Sequence, residues 1–269
     1  MPKIEAADID EADLTEFLKT QDNFALELRL QRYAKSLGLS TAHGGSYIDP
    51  TTGKHRQFDL RATKTRNDCA IAFAVECKCL QKNFPLLVSC IPRSDKESYQ
   101  TVALLEVMPS MVMPKAIRRV TSGTIYPMSE AVGKSMAQVG KLPNGAGWTS
   151  GDSDAYEKWS QALQSSVELF VAALRHTSKV TKTAVIPSLV VSDDTLWAVE
   201  YASDGSQTSA PKKVDEITFF VDRKFPVDVT YVREVSVSHL HIFTERGFKK
   251  RLDNIHDHED WWGASFSNL

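Results

Sequence analysis

The sequence predicts an α/β fold in which helices flank one mixed central β-sheet. Two long segments, 12 to 38 and 155 to 176, repeat apolar residues at helical spacing. Short runs rich in Val, Ile, Phe and Thr, such as 69 to 79 and 184 to 192, have the composition of strands. Helices and strands alternate along the chain, so we expect a single domain over residues 1–269.

The first predicted elements are a helix and a hairpin. Phe17, Phe24 and neighbouring leucines form an apolar stripe on the helix, which ends at Gly38. Two strands follow, at 40 to 48 and 55 to 63. The turn sequence DPTTG separates them. This order predicts that the second strand of the hairpin leads directly into the sheet.

The sheet continues with strands at 69 to 79 and 86 to 91, followed by a helical pattern near 95 to 108. These elements complete a core of about residues 12–108. The next segment, 109–155, contains four prolines and the glycine-rich stretch GKLPNGAGWTSGDSD. We therefore expect an irregular insertion there.

The remainder, 156–269, is expected to be an elaboration of helices and strands. Its helix carries Trp159, Leu163 and Val167 on one face. A short helix near 244 to 255 and a polar tail close the chain. The predicted strands lie at 184 to 192, 195 to 202, 216 to 223 and 231 to 243.

The composition indicates a soluble globular protein of the cytoplasm. The formal net charge is −2 over 269 residues, which argues against a protein that coats nucleic acid without specificity. No apolar run approaches the ~20 residues of a membrane helix, and the acidic N-terminal segment is unlike a signal peptide. The four cysteines have neither zinc-site nor CxxC spacing.

One stretch of the chain is locally basic, and it surrounds Asp59. It is either a nucleic-acid-binding surface or simply a solvated hairpin face. Its members are Lys54, His55, Arg56, Arg61, Lys64 and Arg66.

Charged residues interrupt the most apolar strand, and they predict a functional site. The run from Cys69 to Val75 gives way to Glu76 and Lys78, which share one face because strand side chains alternate. If strands 55 to 63 and 69 to 79 pair as a hairpin, Asp59 lies beside both. Buried charges cost free energy unless they are paired or used.

Two carboxylates and one ammonium at a common point suit metal-assisted phosphoryl chemistry. Asp59 and Glu76 offer the oxygen ligands that Mg²⁺ prefers, and Mn²⁺ should substitute. The cation would activate water and stabilise charge on phosphorus, while Lys78 would position that water. The alternative interpretation is a salt bridge between neighbouring strands.

These residues carry a family resemblance. Asp59, sixteen further residues, and then Glu76-Cys77-Lys78 on a strand resemble the PD-(D/E)XK nuclease superfamily, with its restriction-endonuclease-like fold. The preceding helix and the segment YIDPTTGKHRQFDL resemble the elements that deliver the aspartate in that superfamily. The resemblance covers about residues 20 to 92, and Phe58 replaces the usual proline before Asp59.

The resemblance implies catalytic residues Asp59, Glu76, Lys78 and Glu27, of which Asp59, Glu76 and Glu27 would serve the metal. It also implies an endonuclease or exonuclease acting on DNA, with RNA as an alternative substrate. Restriction, phage defence and repair are the pathways in which such proteins act, some of them with protein partners. A polar position on the helix is the competing interpretation of Glu27.

Other signals are weaker. Asp222-Arg223-Lys224 is a second acidic-x-lysine triplet, but no similar helix and hairpin precede it. His239 and His241 alternate on a strand, and we expect satisfied or solvated side chains there. Trp261-Trp262 should dock on the protein's own core or on a second subunit, which makes the tail a candidate homodimer contact.

A function of another class is a non-catalytic nuclease-fold scaffold that binds nucleic acid or a protein partner. The nearly neutral charge favours the scaffold, whereas the intact set of Asp59, Glu76 and Lys78 favours the enzyme.

Overall fold

The structure, a computed structural model, describes residues 7–121, 125–151, 153–175, 179–267 and 269. It is an α/β fold in which helices flank a large mixed sheet of 13 strands, and a separate two-stranded hairpin lies beside it. The mixed sheet with flanking helices is therefore confirmed.

The helices are α1 (Glu11–Gln21), α2 (Asn23–Ser36), α3 (Ser153–Arg175), α4 (Glu245–Asp257) and α5 (Asp260–Phe266). The strands up to the long crossover helix are β1 (Ser40–His43), β2 (Ser46–Ile48), β3 (His55–Gln57), β4 (Leu60–Arg66), β5 (Cys69–Lys78), β6 (Leu86–Pro92), β7 (Tyr99–Met108), β8 (Met111–Val120), β9 (Ala131–Lys141) and β10 (Trp148–Gly151). Those after it are β11 (Lys182–Val191), β12 (Leu196–Glu200), β13 (Lys212–Lys213), β14 (Glu216–Val229) and β15 (Val232–Thr244).

The strand order is β1-β4-β5-β11-β15-β14-β9-β6-β12-β13, with β7 beside β11 and β8, and β10 beside β9. β5, β11 and β15 run parallel, and β4 is antiparallel to β5. The carboxyl ends of the three parallel strands therefore share one end of the sheet, which we call the carboxyl end. Ligand sites in open α/β sheets commonly lie at this end.

The helix expected over 12 to 38 is two helices. Asp22 separates them, and its carboxylate accepts a hydrogen bond from the Ala25 amide at 2.8 Å, which caps α2. Asp10 caps α1 in the same way through the amides of Ala12 and Asp13. An aspartate that can accept from a free helix N–H begins a new helix more readily than it continues an old one.

Two secondary-structure expectations were wrong. Residues 95 to 108 are mostly strand β7, and the expected irregular segment 109–155 contains β8, β9 and β10. β7 and β8 form a hairpin around Pro109 and Ser110, with Met108 paired to Met111. An apolar run buried on both faces has no periodicity that separates helix from strand.

The two faces of β5 pack against different partners. Ile71, Phe73 and Val75 belong to the core beneath α2 and α4. The opposite face presents the alanines at 70, 72 and 74, all of them buried, and α3 packs across it. Small side chains here let the α3 backbone approach the sheet closely, which brings α3 side chains onto the end of β5.

The tail after α4 is ordered rather than polar and extended. It forms α5, in which Trp262 is buried and donates from its indole nitrogen to the Ile255 carbonyl at 3.0 Å. Trp262 thus docks on the protein's own core. Over the described ranges, no helix combines the length and apolarity needed to cross a bilayer.

Candidate active site at the carboxyl end of β5

The hairpin register brings Asp59 and Glu76 together. β4 pairs with β5 from Leu60 opposite Val75 to Arg66 opposite Cys69. Asp59 immediately precedes β4, so it faces Glu76 one step beyond the first pair. Its Oδ2 accepts a hydrogen bond from the Cys77 amide at 2.8 Å, which fixes the carboxylate against β5.

A lysine from α3 joins the two acids. Lys158 Nζ lies 2.8 Å from Asp59 Oδ2 and 3.0 Å from Glu76 Oε2. The Glu76 side chain is fully buried, and those of Asp59 and Lys158 are 15% and 22% exposed. Asp59 and Glu76 meet at this point, and the amine that bridges both carboxylates belongs to Lys158, whereas the prediction assigned the amine to Lys78.

The electrostatics of the three groups follow from burial and proximity. Burial raises the pKa of Glu76 to about 8, and the Asp59 charge adds to the rise, although Lys158 opposes it. Burial alone would lower the pKa of Lys158, but the carboxylates of Glu76 and Asp59 raise it overall. The pKa shifts therefore favour the charged ammonium of Lys158 and the protonated form of Glu76.

Glu27 reaches the same site from α2. Its Oε2 lies 2.8 Å from His43 Nε2, at the end of β1. Burial raises the pKa of Glu27, followed by the Asp59 charge, while His43 and Lys158 lower it. Glu27 thus pairs with His43 and lies within electrostatic range of Asp59 and Lys158.

Lys78 lies on the same face of β5 as Glu76, two residues further along, and is half-buried. It is thus at the carboxyl end of the sheet.

Sequence reasoning missed Lys158, although a signal for it exists. The helix predicted at 155 to 176 carries buried small residues, Ala162, Ser165 and Ser166, on its sheet-facing side. Lys158 lies one turn before Ala162, on the same side of the helix. A lysine that continues a stripe of small, sheet-facing residues points toward the sheet, where it needs an acidic partner.

The locally basic stretch does not form one solvated surface. Lys54 and His55 are exposed at the β2–β3 hairpin. Arg61 is largely buried beneath α3, where it pairs with Glu168 at 2.6 Å and donates to Ser165. Lys64 donates to the Leu37 carbonyl at 2.7 Å. Only part of this stretch is therefore available to a charged ligand.

The bend between β1 and β2 supports the backbone at Asp59. Gly44 has φ +65 and donates from its amide to the Asp59 carbonyl at 3.1 Å. A side chain on Gly45 would approach the Phe58 ring to 2.5 Å, so the ring would have to shift to admit one. The glycine pair therefore makes a tight bend.

The donor set suits a hard divalent cation. Mg²⁺ in proteins binds through one or two carboxylates and keeps several waters. Glu76 Oε1 is buried and accepts no hydrogen bond from any described residue, so one oxygen is available. In the described part of the chain, no group of three or more His, Cys, Asp or Glu side chains is arranged to hold a metal ion.

The second acidic-x-lysine triplet has a different environment. Asp222 and Lys224 are exposed within β14, and Lys224 pairs with Glu234 at 3.0 Å. Asp222 accepts a hydrogen bond from Tyr99 and has φ 42 at a bulge in the strand.

His239 and His241 are both buried, and the Nε2 atom of each lies within hydrogen-bond distance of a neighbouring side chain. Arg93 lies 2.6 Å from His239 Nε2, and the Tyr126 hydroxyl lies 2.9 Å from His241 Nε2. Burial lowers the pKa of both histidines. Both histidines therefore lie in the protein interior rather than in solvent.

No protein-family model, curated protein or solved structure matches this chain.

Proposed function

We propose that this protein is a Mg²⁺-dependent nuclease that hydrolyses DNA phosphodiester bonds, with a restriction-endonuclease-like core. The single observation that supports the proposal most is the meeting of Asp59, Glu76 and a lysine ammonium within 3.0 Å at the carboxyl end of β5. A fully buried carboxylate whose pKa is raised to about 8 is costly to maintain, and such groups concentrate at functional sites.

Asp59 and Glu76 would hold the cation, with Glu27 as support. Bound there, Mg²⁺ would stabilise charge on the phosphate and lower the pKa of a bound water. The Lys158 ammonium now lies between the two carboxylates, so it must move aside when a cation binds. It then remains tethered beside them, where it would neutralise negative charge that develops on the phosphate.

The structure offers two lysines for the catalytic amine. Lys78 holds the position that the family resemblance assigns, whereas Lys158 makes the contacts with both acids. We assign the main role to Lys158, because its ammonium contacts both of the acids that would hold the cation.

Cleavage of supercoiled plasmid DNA in Mg²⁺ or Mn²⁺ tests the proposal. We expect Asp59→Asn, Glu76→Gln and Lys158→Met each to lose at least about a hundredfold in rate. Lys224→Met in the second triplet is the matched control and should cleave as the wild type does. Equal nicking by all of these proteins, or nicking that persists in EDTA, would show that the site is not responsible.

Lys78→Met separates the two lysines. If Lys78→Met abolishes nicking and Lys158→Met does not, the amine is Lys78, as the sequence pattern alone suggested. A parallel assay on a single-stranded RNA of the same sequence decides between DNA and RNA.

One observation favours a non-catalytic scaffold as the second candidate. The Lys158 ammonium neutralises the acids internally, as it would in a structural ion cluster. Isothermal titration with Mn²⁺ separates the two functions. A nuclease should release heat that disappears in Glu76→Gln, whereas a scaffold should show the same small heat in both proteins.

A further inference from the structure

The hairpin formed by β9 and β10 carries an exposed tryptophan. Trp148 is 69% exposed, and every residue from 141 to 151 is exposed. Lys141 pairs with Trp148 across the hairpin, and its Nζ lies 5.7 Å from the centre of the indole ring. The indole ring is therefore accessible to a ligand, with a cation beside it.

The base of the hairpin contacts the loop that follows β5. The loop that follows β5 carries Phe84, and the ring of Phe84 packs against Gly140 near the end of β9. The Val139 amide also donates to the Pro85 carbonyl at 3.0 Å. The end of β9 is therefore anchored to the loop that leads from β5 to β6.

The chain itself limits the distance between the hairpin and the site. β10 leads into α3, and Lys158 lies in the second turn of that helix. Three strand residues, one connecting residue and five helical residues lie between Trp148 and Lys158, which allows at most about 25 Å between their Cα atoms. That length corresponds to roughly seven nucleotides of a DNA strand.

The chemistry of the hairpin favours a nucleic-acid base over a protein surface. Apart from Trp148 and the partly exposed Leu142, the residues from 142 to 151 are small or polar. One aromatic ring with a cation beside it is the pair that stacks on an unpaired base and contacts its phosphate. A protein interface would need a larger apolar area.

We propose that Trp148 stacks on an unpaired base and that Lys141 contacts the adjoining phosphate, so the protein prefers DNA with single-stranded segments. This inference rests on the proposed nuclease function, which it deepens by naming the substrate class. Single-stranded or forked DNA, rather than a continuous duplex, is then the form that reaches the acid pair.

Fluorescence anisotropy in EDTA tests the inference, because binding is measured without cleavage. The probes are a labelled 20-nucleotide single strand, the same sequence as a duplex, and a forked duplex. We expect Trp148→Ala to weaken binding of the single strand and the fork about tenfold, with less than twofold change for the duplex. Trp148→Phe should restore most of the affinity.

Tyr231→Ala is the matched control. Tyr231 is 64% exposed in the turn between β14 and β15, at the opposite end of the sheet. The Tyr231→Ala variant should bind all three probes as the wild type does. Equal single-strand affinity of Trp148→Ala and the wild type would overturn the inference, as would an equal loss on all three probes.

Two further results separate this inference from the nuclease proposal. If the wild type cleaves plasmid but Trp148→Ala binds single strands normally, only the stacking role fails. If the wild type binds single strands through Trp148 but cleaves nothing, the stacking role stands and the nuclease proposal fails. A dimer in size-exclusion chromatography that Trp148→Ala converts to a monomer would assign the ring to a contact between copies and overturn the inference.

Discussion

Replacing Glu76 with glutamine should change how stability depends on pH. The pKa of Glu76 is about 8 in the folded chain against an ordinary value of 4.5, so the folded state keeps a proton that the unfolded state loses. The contribution of Glu76 to the free energy of unfolding of the wild type should therefore be most favourable below about pH 4.5. It falls as pH rises toward 8 and levels off above that.

The size of the effect follows from the two pKa values. Between pH 5 and pH 9, this one carboxyl should cost the folded state about 4 kcal/mol. Glutamine has nearly the same shape and carries no charge at any of these pH values. Relative to the wild type, the free energy of unfolding of Glu76→Gln should thus rise by about 4 kcal/mol between pH 5 and pH 9.

Urea unfolding followed by tryptophan fluorescence, in EDTA at each pH unit from 5 to 9, measures this difference. Glu234→Gln, at a side chain that is 51% exposed, is the control. Its plot of unfolding free energy against pH should stay parallel to that of the wild type. If Glu76→Gln also stays parallel to the wild type, the carboxyl is not protonated in the folded state and the reasoning about burial is wrong.

Three further substitutions test the packing around the site. Lys158→Met should lower the free energy of unfolding by about 3 kcal/mol at pH 8. The loss should be smaller at pH 5, because Glu76 is protonated there. Urea unfolding at pH 5 and at pH 8 measures the difference. Gly45→Ala should displace Phe58 and the adjacent Asp59, and it should therefore slow plasmid cleavage about tenfold. Gly151 has open space around it, so Gly151→Ala is the control and should cleave as the wild type does. Gly247→Ala would place a carbon 1.9 Å from the Asp215 carbonyl oxygen and should lower the melting temperature by more than about 5 °C, whereas Gly263→Ala in α5 meets no atom within 4 Å and should have little effect.

The hairpin that carries Asp59 and Glu76 could be predicted because its signals are local. Alternation along β5 assigns Glu76 and Lys78 to one face, and a short turn makes the pairing with β4 nearly unavoidable. β5 itself was predicted within one residue of its observed end.

Lys158 could not be assigned in the same way. Its contact with Glu76 joins residues that are 82 positions apart, and it depends on how α3 crosses the sheet. The helical pattern shows which face of α3 is buried, but it does not show which strand that face covers. β7 was missed for a related reason, because burial on both sides removes the alternation that identifies a strand.

The β4–β5 turn lies at the far end of the hairpin from the two acids, with seven paired positions between them. One residue inserted next to Asn67 would slide β5 past β4 by a single position and exchange the sides on which its side chains emerge. Glu76 would then enter the core beneath α2, and a cysteine or an aliphatic residue would take its place beside Asp59. The count of residues around that distant bend is therefore as important to the chemistry as the identity of the acids themselves.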